Sequence, residues 1–125
     1  MPHLPYSIEL HDSWLAYITQ DSSGATIALS PAYIHRGGKG WRQNAEIVVA
    51  GALVEGFRYE LPARISDGNL KAPGGPYHNL LMLPLASAGP VRLELELESG
   101  EVVLVKGESV EVRLLGEATF VEDVA

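Results

Sequence analysis

Residues 91–116 read VRLELELESGEVVLVKGESVEVRLLG. Leu93, Leu95 and Leu97 alternate with Glu94, Glu96 and Glu98, the period-two pattern of a strand with one dry face and one wet face. Ser99-Gly100 supplies a tight turn into the apolar run at 101–105. Lys106-Gly107 then separates that run from 109–115, where Val110, Val112 and Leu114 alternate with Glu111 and Arg113. The stretch predicts an antiparallel meander of three strands. Its glutamates need no ligand to explain them, because charged outward faces keep sheets from pairing edge to edge.

The same period recurs toward the N-terminus. Tyr6, Ile8 and Leu10 alternate with Ser7 and Glu9, and the runs WLAYIT (14–19) and ATIALS (25–30) flank the turn-rich spacer Asp21-Ser22-Ser23-Gly24. Three strands in two hairpins are expected there. In AEIVVAGALVEGF (45–57), Ile47-Val48-Val49 together with Gly51 and Gly56 disfavour a long helix, so a buried strand is expected. Between Leu61 and Pro90, five prolines and four glycines force frequent turns; NLLML (79–83) is the best strand candidate and KAPGGPYHN (71–79) reads as a loop. About nine short strands without a long helix predict an all-β fold, a two-sheet antiparallel sandwich or jelly-roll-like barrel. At 125 residues, a single β-sandwich domain spanning 1–125 is expected.

Composition narrows the partners. Hydrophobic residues make up 46% and charged residues 20%, which suits an ordinary soluble globule rather than a disordered or membrane-spanning chain. The net charge is -7, and residues 91–125 hold nine acids against Arg92, Lys106 and Arg113. An acidic total argues against nucleic acid, whose binding needs a basic face to release counterions. Without cysteine there are no disulfides and no thiolate metal sites. The start MPHLPYSIELHDS has neither the basic nor the apolar segment of a signal peptide, so a cytoplasmic location is the default expectation, with no membrane partner.

Several chemistry-bearing residues also have plainer roles. His11-Asp12-Ser13 holds the residue types of a hydrolase triad, but in a strand His11 and Ser13 point one way and Asp12 the other, so the three neighbours form no relay. As a turn, Asp12 and Ser13 would bond local backbone N–H groups while His11 packs. His3, His11, Asp12, His35, His78 and Glu122 are suitable metal donors, yet none forms H-x-H, HExxH or another compact motif, so no metal site is expected. GGKGW (37–41) lacks the first glycine and the hydroxyl residue of a phosphate-binding loop, and GxSxG and GxGxxG are missing too; no cofactor is expected.

The segment YIHRGGKGWRQ (33–43) concentrates what remains. Gly37, Gly38 and Gly40 can expose backbone N–H groups, and Arg36, Lys39 and Arg42 add positive potential, a combination suited to an anion. Trp41 and Tyr33 offer flat apolar area for a saccharide or protein contact. The structural alternative is a connection whose cations pair with the acidic C-terminal strands and whose Trp41 anchors it to the core.

Y-x-I-E-L-H-D-S at the start, A-Y-I-H-R followed by a glycine-rich G-W-x-Q in the middle, and G-E-A-x-F-V-E-D at the end together resemble a pattern in small, uncharacterised bacterial all-β proteins. The resemblance covers a minority of the chain and implies no reaction. Were its pieces to meet, the site would comprise His11, Asp12, Tyr33, His35, Arg36, Trp41, Gln43 and Glu122, with Lys39 beside them. Two function classes follow. The preferred one is a binding or protein-interaction module that uses an exposed Gly/Arg/Trp loop for a protein, anion or saccharide, with homo-oligomers allowed. The other is a metal-assisted or His/Asp acid-base hydrolase that needs His11, Asp12, His35 and Glu122 around one cleft.

Overall fold

The computed structural model describes residues 6–55 and 60–124, so His3 and the last two residues of the 45–57 run, Gly56 and Phe57, lie outside the described residues. Ten strands follow in order: β1 (Ser7–Glu9), β2 (Trp14–Asp21), β3 (Gly24–Arg36), β4 (Lys39–Ala50), β5 (Leu53–Glu55), β6 (Ala63–Lys71), β7 (Tyr77–His78), β8 (Leu80–Met82), β9 (Ala86–Leu97) and β10 (Val102–Asp123). All pair antiparallel, and no helix occurs among the described residues. The all-β, barrel-like architecture expected from the alternating patterns is the one observed.

Six strands close a ring: β2 pairs β6, then β9, β10, β4 and β3 follow, and β3 pairs back to β2. The narrowest seam is β2–β6, where Trp14 faces Arg64 and Leu15 faces Ala63. Period-two alternation sends Leu93, Leu95 and Leu97 of β9 inward to meet Leu15, Ile27, Leu29, Ile47, Val49, Ile65, Leu70, Val103, Val105 and Val110 in one core. Each fully buried aliphatic side chain contributes about 1.5–3 kcal/mol through the apolar area it removes from water. The glutamates of β9 point outward, as the alternation requires.

β3, β4 and β10 are too long for the ring and run beyond it. Their far ends extend the same ten-stranded sheet with β1 and β8, in the order β8-β1-β3-β4-β10. β3 enters the extension after a register break between Leu29 and Ala32, and β10 after a break between Leu115 and Thr119. The candidate site stands on this extension.

Four local readings are corrected. Lys106-Gly107 is no turn: β10 passes through it with a bulge between Gly107 and Ser109, exchanging β5 for β4 on one side while keeping β9 on the other. Glycine serves a bulge as readily as a turn, so the sequence alone did not separate them. β1 does not pair with β2; it lies between β3 and β8, because the turn after Glu9 carries the chain away. β6 went unrecognised, since Asp67-Gly68-Asn69 reads as a turn, yet Ile65 and Leu70 are fully buried and a bulge between Ile65 and Asp67 absorbs the polar residues. KAPGGPYHN, expected as a loop, ends in the two-residue strand β7, which pairs with β6.

Candidate functional site

Register decides which side chains meet. On the extension, Glu9 lies opposite Tyr33, which lies opposite Arg42; Ser7 lies opposite His35, which lies opposite Gly40, and Gly40 opposite Glu122. Directly paired residues share a face, so Glu9, Tyr33, His35, Arg42 and Glu122 stand together. Gly40 makes room on that face: a Cβ there would run into the Tyr33 phenol. With Asp12 from the β1–β2 connection, Trp14 at the start of β2, Arg64 from β6, Val121 from β10 and Val124 just after it, these residues line an open cavity of about 630 Å³.

The cavity wall at Asp12 is held by a tight local network. Asp12 adopts φ 82, and Ser13 N–H donates to the Leu10 carbonyl at 3.0 Å. The buried Ser13 hydroxyl donates to the Glu9 carbonyl at 2.7 Å and accepts the Tyr33 N–H at 2.9 Å, which staples the turn to β3. His11 N–H donates to the Asn79 side-chain oxygen at 2.7 Å, while the His11 ring is exposed rather than packed. Asp12 meets the Arg64 guanidinium in a short charge-assisted hydrogen bond, and Arg64 Nε stands 3.8 Å from Glu98. His11 and Asp12 therefore do adjoin, Nδ1 to Oδ2 at 3.4 Å, because the segment is a turn and not a strand. Ser13 is fully buried with its oxygen engaged on both sides, so it offers no nucleophile.

His35 is the most unusual member. It is 4% exposed, and neither ring nitrogen has a hydrogen-bond partner among the described residues. Its Nε2 stands 3.7 Å from the Glu9 carboxylate, beyond hydrogen-bonding range. Tyr33 packs edge-on against its ring at 5.2 Å and donates its hydroxyl to Glu122 at 3.2 Å.

Charge in the cavity follows from these contacts. Burial lifts the Glu9 carboxyl above the usual range; His35 pulls against that lift and Asp12 adds to it. Burial would raise Asp12 as well, but the Arg64 hydrogen bond and the His11 and Arg64 charges outweigh it and hold the carboxyl below its ordinary value. Burial, together with the neighbouring Glu122 carboxylate, pushes the Tyr33 phenol up to about 12, so it stays a neutral donor.

The expected exposed loop at 33–43 is a β-hairpin. β3 continues to Arg36, the Gly37-Gly38 turn has φ 62 and 75, and β4 begins at Lys39. Two adjacent positive φ angles are the geometry of the hairpin turn whose twist matches its strands, which glycine adopts without strain. Arg36 and Trp41 stand on the face away from the cavity. There Trp41 packs on the core and edge-on against Phe120 at 5.6 Å, with the Arg36 guanidinium 4.5 Å from its ring centre and its indole N–H donating to the Arg36 carbonyl at 3.2 Å. Lys39 pairs with Asp123 at 3.1 Å and lies over Phe120. Gln43 donates to the Gly116 carbonyl at 2.9 Å.

Of the residues expected at a site, Asp12, Tyr33, His35 and Glu122 line the cavity and His11 adjoins it. Arg36, Lys39, Trp41 and Gln43 serve other contacts. His78 is remote, pairing with Asp67 at 3.0 Å. Glu9, Trp14 and Arg64 were not expected. Glu9 passed for an outward strand residue, and only the pairing Glu9–Tyr33 sets it beside His35. Arg64 sits in a stretch whose strand was not recognised. Arg42 was noted as a loop cation, but its opposition to Tyr33 is what turns it to the cavity. Carboxylates, guanidinium groups, a neutral phenol and an orphaned imidazole around one opening can grip a ligand rich in oxygen, hold a cation, or exchange protons. No protein-family model, curated protein or solved structure matches this chain.

Proposed function

We propose that this chain is a binding module whose recognition site is the cavity of the sheet extension, and that its ligand is a small saccharide. The observation that carries the reading is the gathering of Glu9, Asp12, Glu122, Arg42 and Arg64 with the half-exposed Trp14 around one opening of about 630 Å³. That volume lies within the range of small-ligand sites, roughly 300–1,000 Å³. Carboxylate and guanidinium groups are planar, paired hydrogen-bonding groups that match vicinal hydroxyls, and an exposed indole offers a flat apolar surface to a sugar ring. The 33–43 hairpin acts here as a clasp, with the cavity on one face and the Trp41 cluster on the other.

Intrinsic fluorescence tests the reading, because the chain has two tryptophans and only Trp14 lines the cavity. Titration with neutral and acidic oligosaccharides should change the emission of the parent and of Trp41→Phe. It should leave Trp14→Phe unchanged, and Arg42→Ala should weaken binding. A response that survives in Trp14→Phe and vanishes in Trp41→Phe would move recognition to the hairpin's outer face.

A second reading is favoured by Asp12, His35 and Glu122 lining the same opening with His11 beside Asp12, namely acid-base hydrolysis with water as the nucleophile. Turnover of ester or glycoside substrates that is lost in Asp12→Asn, with the fold intact, would select it over simple binding.

A further inference from the structure

We infer that the side of the cavity at the β1–β2 turn is a site for a first-row divalent metal ion, with Glu9, His11, Asp12 and His35 as its ligands and zinc as the ion best matched to them. The inference rests on reading the cavity as a binding site and names what sits at that side. Ligand atoms of Glu9, His11 and Asp12 already lie within 4.8 Å of one another. Such a cluster on a surface turn is common and says little alone. His35 supplies the independent observation: it is buried, lines the same cavity, and has both ring nitrogens without a hydrogen-bond partner among the described residues. A buried imidazole normally satisfies at least one nitrogen, and this one faces a carboxylate instead.

Within each His–carboxylate pair the spacing fits a shared ion better than a hydrogen bond, while His35 lies outside the 4.8 Å group of Glu9, His11 and Asp12 and would join the ion beside its neighbour Glu9. His35 Nε2 and Glu9 Oε1 are 3.7 Å apart, and His11 Nδ1 and Asp12 Oδ2 are 3.4 Å apart. Two donors each about 2.1 Å from a tetrahedral ion stand about 3.4 Å from one another, whereas hydrogen-bonded atoms approach to about 2.7–3.2 Å. The donor set points to the ion class, because two imidazoles with two carboxylates suit zinc and its neighbours, whereas calcium and magnesium take all-oxygen cages. Outer contacts are in place as well. Arg64 holds the other Asp12 oxygen, Oδ1, leaving Oδ2 facing His11, and the Ser13 hydroxyl fixes the backbone that presents Glu9.

Metal-stripped full-length protein titrated with Zn²⁺ alone tests this, with Co²⁺ as a coloured reporter of coordination and Ca²⁺ and Mg²⁺ as hard-cation comparisons. One equivalent of Zn²⁺ should bind. Glu9→Gln, His35→Gln and His11→Ala should each weaken it roughly tenfold or more, the scale set by disturbing a metal's ligand environment. His78→Ala, at the remote His–carboxylate pair, should bind as the parent does. Because His35 is buried and its variant can misfold, the exposed His11→Ala carries the same expectation with circular dichroism confirming its fold. Absence of a saturable equivalent, equal affinity in Glu9→Gln and His11→Ala, or Ca²⁺ binding as tightly as Zn²⁺ would each overturn the assignment. Saccharide binding by stripped protein that takes up no zinc overturns the metal site and leaves the proposed function standing; zinc binding without any saccharide response does the reverse.

Discussion

Asp21 shows how a single side chain sets a turn in this molecule. Its carboxylate accepts the Ser23 hydroxyl at 2.6 Å, the Ser23 N–H at 2.8 Å and the Gly24 N–H at 3.2 Å, closing the β2–β3 hairpin. These bonds, the Ser23 hydroxyl first, hold the carboxyl below the usual aspartate range. A depressed folded-state value gives stability that is present above the unfolded value and lost as the pH falls through the folded one. The stability gap between the parent and Asp21→Ala, followed by denaturant unfolding, should therefore be full at neutral pH and shrink in acid. A gap that widens in acid would contradict the assignment. The spacer at 21–24 was readable as a turn because Asp and Ser bond their own backbone. The burial of His35 was not readable, since nothing local distinguishes it from an exposed loop histidine.

At the scale of the element, the 33–43 hairpin joins two jobs through strand alternation, with Tyr33 and His35 toward the cavity and Ile34 and Trp41 toward the core. Removing Trp41 takes a large ring from between the core and Phe120, so Trp41→Ala should cost about 3 kcal/mol in unfolding free energy, the lower end of the aromatic-to-alanine range because the ring is only partly buried. At Gly37 a Cβ would meet nothing, so a substitution there reports backbone strain alone. Gly37→Ala should cost about 1 kcal/mol and Gly37→Asn less, because asparagine tolerates positive φ better. Equal costs for the two would argue against a turn-limited effect. The segment is a hairpin where its composition suggests a loop. Three glycines and three cations suggest a loop, while the strand partners of its two arms, β1 beside Tyr33 to His35 and β10 beside Lys39 to Arg42, lie far away in sequence. β6 was hidden for the same reason: its Asp-Gly-Asn centre obeys turn preferences that burial of Ile65 and Leu70 overrides.

For the whole molecule, β9 and the start of β10 were the readable part, because strict alternation of leucine and glutamate admits one fold class. Ring closure through β2–β6 was not, resting as it does on two residue pairs between strands whose sequences carry no sign of each other. Among the described residues no helix is long and apolar enough to cross a membrane. β10 spans both parts of the molecule in its 22 residues: its first half is a stave of the ring, and its second, beyond the break between Leu115 and Thr119, supplies Val121 and Glu122 to the cavity. Gly116, with φ 69 and open space around its Cβ position, lies within that break. This division predicts that assembly of the cavity is separable from folding of the ring. A chain ending at Leu115 should still give a strand-rich, cooperatively melting protein but no longer retain ligand, and a synthetic peptide covering residues 116–125 should dock beside β4 and bring retention back. On the proposed reading the molecule would be a receptor in two pieces, in which occupancy of the cavity reports on the presence of one short peptide.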